Sequence, residues 1–373
     1  MIEKHLHIVA FSIPYPPDYG GVIDVFYKIR ALHSQGVSII LHCFEYERTD
    51  VEPLREYCEK IFIYKRKTGF KSALHYIPYI VYSRRSKELL DNLCKDSYPI
   101  LFEGIHTCYY LSHPKLKSRF KIYRESNIEH IYYYHLMKAE RNYLSKIYFF
   151  SEAVKLFLFQ LKISDSSLML AVSKKDTEYL KKFFPNVKVE FLPSFHSNIE
   201  LSIKQGKGDY VLYHGNLSVS ENIEACIYLI KNVFSKINFP VIIAGKVPAQ
   251  GIYNAAHGFS NIKIIASPLE QEMNELIRNA QVHLLITFQS TGLKLKLLNT
   301  LYKGRFVLVN QMMLAGTGLE SICTISNSKE EIKQSLLKLI DKEFDNEEIA
   351  LRKQTLSESY DLLLITKRLM EYL

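Results

Sequence analysis

The sequence predicts an α/β protein made of two doubly wound domains, each a parallel sheet covered by helices on both faces. Three observations predict it. Short strand-like apolar runs alternate with helix-length segments along the chain, the order a parallel sheet requires. The alternation lapses once, at residues 194–208, where the chain is polar, glycine-bearing and without periodicity. The 373 residues, 47% hydrophobic and 23% charged, are enough for two ordinary cores and argue against a disordered chain.

In order, the first strand is expected in HIVAFS, His7 to Ser12. A Pro/Gly loop follows, then a helix from Val22 to Ser34, and VSIILHCF after Gly36 completes a βαβ unit. Further strands are expected at Lys60 to Tyr64, Ile100 to Glu103, Phe120 to Tyr123, Leu168 to Val172 and Val187 to Leu192, which makes residues 1–193 the first domain. After the linker at 194–208 the alternation restarts in a second domain, 209–355. It reads YVLYHG, a helix from Asn222 to Phe234, PVIIAG, NIKIIA, a helix from Glu270 to Asn279, VHLLIT, a helix from Leu293 to Tyr302, and RFVLVN. An amphipathic helix from Ser357 to Leu373 ends the chain in the segment 356–373. Two such sheets in tandem should face a central cleft from their carboxyl ends, where open α/β sheets bind ligands.

A net charge of +9 calls for an anionic partner. Zinc-finger, RNP-type aromatic and Arg-rich patterns are missing, so nucleic acid is excluded in favour of a phosphorylated substrate or an anionic lipid surface. The six cysteines are scattered without metal-ligand spacing and read as reduced thiols. HIVAFS lacks a cleavage pattern, and the apolar region Tyr148 to Ile163 is broken by Ser151, Glu152, Lys155 and Lys162, so a cytoplasmic protein without a membrane span is expected. A peripheral membrane contact is suggested by Lys65, Arg66, Lys67, Lys71, Arg84, Arg85 and Lys87, which bracket the aromatic-apolar stretch Tyr76 to Tyr82.

Three segments carry candidate chemistry. In PYPPDYGGVIDVF the pair Gly20 and Gly21 precedes a helix, where side-chain-free amides can approach a diphosphate at the helix N-terminus. FEGIH ends a strand and places Glu103 and His106 at the rim of the cleft, with KIYRESNIEHIYYYHL following. In TFQSTGLKLKLLNTLYKGRFVLVN, Gly292 precedes a helix whose amides could hold a diphosphate, with Lys294 and Lys296 as countercharge.

These segments resemble, in order and register, the motifs of the retaining glycosyltransferases of the large family four, which have the GT-B fold. Pro16, Gly20, Gly21 and Gly36 match the N-terminal motif; Arg124, Asn127 and Glu129 match the mid-domain segment, with Ser126 in the place of a histidine. Gly292, Lys294, Lys296, Leu297, Leu298, Gly304 and Val307 align with the donor-binding stretch. The resemblance implies transfer of a hexose-type sugar from a nucleotide-sugar donor to a glycan or lipid-linked glycan, with retention, without a metal, and with no cofactor besides the donor. It implies donor contacts from Gly20, Gly21, Gly215, Asn216, Lys246, Ser267, Thr291, Gly292, Leu293, Lys294, Lys296 and Asn299, and a sugar-side group of His106, Ser126 and Glu129, His106 replacing the missing imidazole. The family's pair of glutamates falls on Thr291 and Asn299, so both carboxylates are absent. Two alternatives stay open: a non-catalytic sugar-nucleotide-binding protein and a sugar-nucleotide epimerase on the same fold.

Overall fold

The computed structural model of the protein describes residues 4–288 and 295–373. The expected sites Thr291, Gly292, Leu293 and Lys294 lie outside the described residues. The chain divides into two units: one ends at Ser197 and takes in Leu362–Leu373, the other extends from Asn198 to Asp361.

The first unit contains strands β1 (Lys4–Ala10), β2 (Val37–Glu45), β3 (Lys60–Lys65), β4 (Ile100–Glu103), β5 (Lys121–Glu125), β6 (Leu168–Ala171) and β7 (Lys188–Phe191). Its helices are α1 (Gly20–Ser34), α2 (Phe70–Ala73), α3 (Tyr79–Tyr82), α4 (Lys87–Leu93), α5 (Glu129–Ala139), α6 (Tyr143–Gln160) and α7 (Lys174–Phe183), and it is completed by α15 (Leu362–Met370). The strands pair in parallel in the order β3-β2-β1-β4-β5-β6-β7. Because side chains alternate along a strand, Leu6, Ile8 and Ala10 of β1 point to one face and Val9 to the other. The first face packs on Val25, Ile29 and Leu32 of α1 and on Ile365 and Leu369 of α15. The second packs on Leu89, Leu90 and Leu93 of α4, Leu156 and Phe159 of α6, and Leu180 of α7. Each such fully buried side chain contributes about 1.5–3 kcal/mol.

The second unit contains β8 (Val211–Asn216), β9 (Val241–Lys246), β10 (Ile262–Ala266), β11 (Val282–Leu285), β12 (Phe306–Val309) and β13 (Thr324–Ile325). Its helices are α8 (Ser220–Asn232), α9 (Gln250–Ala256), α10 (Glu270–Asn279), α11 (Leu295–Lys303), α12 (Gln311–Leu314), α13 (Lys329–Asp341) and α14 (Asn346–Ser359). The parallel sheet has the order β10-β9-β8-β11-β12-β13. β8 and β9 approach so closely that a Cβ on Gly245 would lie 1.8 Å from the Gly215 carbonyl oxygen.

Three differences from the sequence reading have physical causes. α1 starts at Gly20, not Val22, because the extended Tyr19 serves as its N-cap and the glycine pair forms its first turn. The expected helix from Ser357 to Leu373 is broken after Ser359. There the Tyr360 carbonyl accepts the Tyr302 hydroxyl at 2.9 Å, and the Tyr360 hydroxyl donates to the Thr317 carbonyl at 2.6 Å. The stretch Tyr76 to Tyr82 is largely core, with Ile77, Ile80 and Val81 buried. Arg84, expected at a lipid headgroup, is corrected: its guanidinium is inside, donating to the Phe11 carbonyl at 2.7 Å and the Ile80 carbonyl at 2.5 Å.

Candidate active site

In each sheet the strand order reverses once, and at that reversal the loops leaving two neighbouring strands diverge to opposite faces and leave a crevice. In the first unit the reversal lies between β1 and β4, in the second between β8 and β11.

At the first reversal, the loop after β1 leads to Gly20 and Gly21. A Cβ on Gly21 would lie 2.8 Å from the Phe11 ring, so glycine permits that close approach. The Phe11 ring packs 5.4 Å from the ring of His106, which follows β4. Gly104, at φ +72, stands within reach of both the His106 ring and the Ser126 hydroxyl, 3.0 and 3.9 Å from where its Cβ would be. Gly21, His106 and Ser126 thus come together around Phe11 and Gly104. Burial, with the nearby Arg84 and Arg66, holds the His106 imidazole well below its ordinary range, and its Nδ1 is buried with no hydrogen-bond partner among the described residues. Glu129 opens α5; burial lifts its carboxyl to about 7, against a hydrogen bond from Asn127 and the charge of Arg84, which pull it down. The Glu129 carboxyl, titrating near neutrality, can accept or donate a proton at a reacting hydroxyl, while the His106 ring, held neutral, can only hydrogen-bond to it.

Glu103 and Arg124 have another role. Glu103 was expected at the rim but is fully buried, accepting from Lys28 Nζ at 2.6 Å. Lys28 also donates to Asp24 at 3.1 Å, Arg124 Nε lies 3.4 Å from the same carboxylate, and Asp24 accepts the Phe195 amide at 2.6 Å. Arg124 donates to the Leu192 and Pro193 carbonyls as well. This quartet ties α1, β4 and β5 to the chain beyond β7, and it fixes the floor under Gly104 and Ser126.

At the second reversal, Gly215 and Asn216 end β8; Lys246 ends β9, next to β8, and Ser267 follows β10, one strand further out. Lys296, in the first turn of α11, donates from Nζ to Asn222 Oδ1 at 2.7 Å, and Asn222 Nδ2 donates to the Asn216 carbonyl at 2.9 Å. One cation is thereby held beside the β8–α8 loop. Burial, with the Lys296 charge, pushes His214 down to about 3, leaving a neutral ring whose Nε2 meets the Thr300 hydroxyl at 2.8 Å. Asn299 lies one turn beyond Lys296 on the same face of α11, half-buried. Lys246 and Ser267 are exposed; Ser267 braces the neighbouring turn, its amide donating to the Gly245 carbonyl at 2.7 Å and its hydroxyl accepting the Val247 amide at 3.2 Å. Both Val247 and Ser267 have positive φ, 44° and 48°, a conformation side-chain-bearing residues seldom keep without such bracing.

Sequence reasoning missed the contacts of Thr287 and Asn310 at the same strand ends. Asn310 bonds both the amide and the carbonyl of Thr287, at 3.2 and 2.7 Å, and the Thr287 hydroxyl donates to Glu221. Their positions just after β11 and β12 were the available signal. Among the described residues no cluster of three or more His, Cys, Asp or Glu could hold a metal ion.

Two parallel doubly wound units with this pair of strand orders define the GT-B fold. No protein-family model matches the chain. It is 25% identical over 343 residues to an "Uncharacterized 44.6 kDa protein in cps region" of Klebsiella pneumoniae, covering 83% of this chain and 84% of that one. Its structure superimposes on sucrose-phosphate synthase from Thermosynechococcus elongatus with a TM-score of 0.70 at 10% identity, over 99% of this chain and 98% of that one. It superimposes equally fully on Anabaena HepE in complex with UDP and glucose, with a TM-score of 0.66 at 10% identity, over 99% and 98% of the two chains. At such identities the likeness establishes the fold.

Proposed function

We propose that this protein is a glycosyltransferase that moves a hexose-type sugar from a nucleotide-sugar donor to a hydroxyl of a glycan or lipid-linked glycan, with retention and without a metal, at the inner face of the cytoplasmic membrane. The observation that carries the proposal is the placement of Lys296 at the β8/β11 reversal, anchored through Asn222 to the β8–α8 loop. A fixed cation there, with helix N-terminal amides, stabilises the negative charge that develops on a departing diphosphate. Asn299, one turn along, offers a hydrogen-bonding group to a ribose hydroxyl. Gly20, Gly21, Gly215, Asn216, Lys246, Ser267, Thr291, Gly292, Leu293 and Lys294 complete the proposed donor contacts. His106, Ser126 and Glu129 serve the reacting hydroxyl. The superposition on a protein bound to UDP and glucose is in keeping with this reading.

One observation favours a second reading, a sugar-nucleotide-binding protein without catalysis. Asn299 stands where the resembled family has a carboxylate, and Glu221, in the first turn of α8, stands where that family has a cation. Calorimetric titration of UDP, GDP, ADP and CMP into wild type and Lys296→Ala tests the donor site. Loss of a charge-assisted hydrogen bond should weaken the preferred nucleotide by about tenfold to a hundredfold. Equal affinity in both proteins would place the diphosphate elsewhere.

A further inference from the structure

The first unit carries an apolar surface that its own core does not use. α6 turns Ala153, Leu156 and Phe159 inward and a second stripe outward: Leu144 (76% exposed), Ile147 (51%), Phe150 (54%), Phe157 (42%) and Leu158 (58%). With Val154 (44%) between Phe150 and Phe157/Leu158, successive outward positions are three or four residues apart, so they share one face of the helix. α5, which precedes α6, has no fully buried residue among those whose burial is described. Lys155 Nζ donates to the Ala73 carbonyl at 2.9 Å and the Tyr79 amide donates to Glu152 at 2.7 Å, which seats residues 73–79 beside α6, where Leu74 (69%) and Tyr76 (76%) are exposed as well. Folded monomers seldom leave a whole helix face of large apolar side chains bare.

We propose that this face of the first unit docks in the plane of an anionic lipid bilayer. Charge decides the occupant. From Lys65 to Lys87 the chain has seven basic residues, of which Arg84 is buried, and no acidic one. From Tyr134 to Ile163, Lys138, Arg141, Lys146, Lys155 and Lys162 oppose only Glu140 and Glu152, and Glu152 is buried and paired with Lys155 at 2.8 Å. A second copy of this chain would bring one basic surface against another, since a two-fold interface places the same patch on both sides. Anionic headgroups complement it, with Leu, Ile and Phe entering the acyl boundary and Tyr76 and Tyr143 at the interface. No described helix is long and apolar enough to cross a membrane, so the contact is interfacial. The inference extends the lipid-linked acceptor reading, and its test needs neither donor nor acceptor.

Flotation of the purified chain with vesicles of phosphatidylcholine and phosphatidylglycerol in equal parts is the test. Wild type should float at low salt, sink at high salt, and stay down with phosphatidylcholine alone. The double variant Leu144→Glu/Phe150→Glu should stay down while melting like wild type, because both side chains are exposed. Lys138→Gln and Lys146→Gln should each lower partitioning by about fivefold. Wild type that stays down, or a double variant that floats as well, overturns the inference. So does light scattering that shows a dimer which the double variant dissociates, since the face then belongs to a second copy. Nucleotide binding unchanged in every variant keeps this outcome separate from the transferase reading.

Discussion

Replacing Asp24 by Asn removes one negative charge from the buried quartet and little else. Asn has the same shape and retains an oxygen for the Phe195 amide, which donates to Asp24 at 2.6 Å. What it cannot do is balance Lys28 at 3.1 Å and Arg124 at 3.4 Å, both fully buried. Four groups with no net charge become three with an excess positive charge in a site water does not reach. Breaking a buried pair by removing one partner costs about 3–5 kcal/mol, which for a unit of this size is about 6–20 °C in melting temperature. Glu103→Gln should cost less, because Glu103 faces Lys28 at 2.6 Å while Asp24 faces both cations. The chain has no tryptophan, so urea unfolding is best followed by far-UV circular dichroism. A loss below about 1 kcal/mol for Asp24→Asn, or a larger loss for Glu103→Gln, would refute the reasoning that this quartet holds the floor of the first unit.

His42, held well below its ordinary range by burial and by His7, and His214, pushed down to about 3 by burial and by Lys296, refuse a proton in the folded protein. The unfolded chain takes that proton below about pH 6.5, so the two rings leave stability unaffected above that value and lower it as the pH falls, by up to about 1.4 kcal/mol per pH unit for each. Urea midpoints at about pH 7.5 and about pH 5 should differ accordingly, and His214→Gln should narrow the difference. Gly245→Ala, whose Cβ would sit 1.8 Å from the Gly215 oxygen, should cost about 3 kcal/mol or more in urea unfolding. Gly251→Ala, with only the Ile227 methyl at 3.4 Å, should leave stability unchanged or slightly raised.

The strands were legible because a parallel sheet buried on both faces needs short continuous apolar runs, and ILFE at β4 coincides with its expected range to the residue. Gly20 and Gly21 were legible as a special turn but not as the first turn of α1, since glycine reads as loop and only the extended Tyr19 shows where the helix begins. Contacts between distant residues were not legible at all. Arg124 and Asp24 are separated by 100 positions, Glu103 and Lys28 by 75, and nothing local distinguishes a buried ion pair from a solvated one. Arg84 misled for the same reason: beside Arg85 it reads as a surface charge, yet carbonyls of Phe11 and Ile80 draw it inward. The outward stripe of α6 could be seen as apolar; which way it pointed depended on how many elements were available to cover it.

The most direct measurement of the central claim is mass spectrometry of the purified protein incubated with a panel of hexosyl nucleotides and a lipid-linked or soluble glycan acceptor. One donor should lose its sugar, release the nucleoside diphosphate and add a single hexose to the acceptor, at a rate that falls with Lys296→Ala. Binding of a nucleotide by wild type with no diphosphate released and no heavier acceptor, for any donor in the panel, would contradict catalysis and leave a sugar-nucleotide-binding protein on a glycosyltransferase fold.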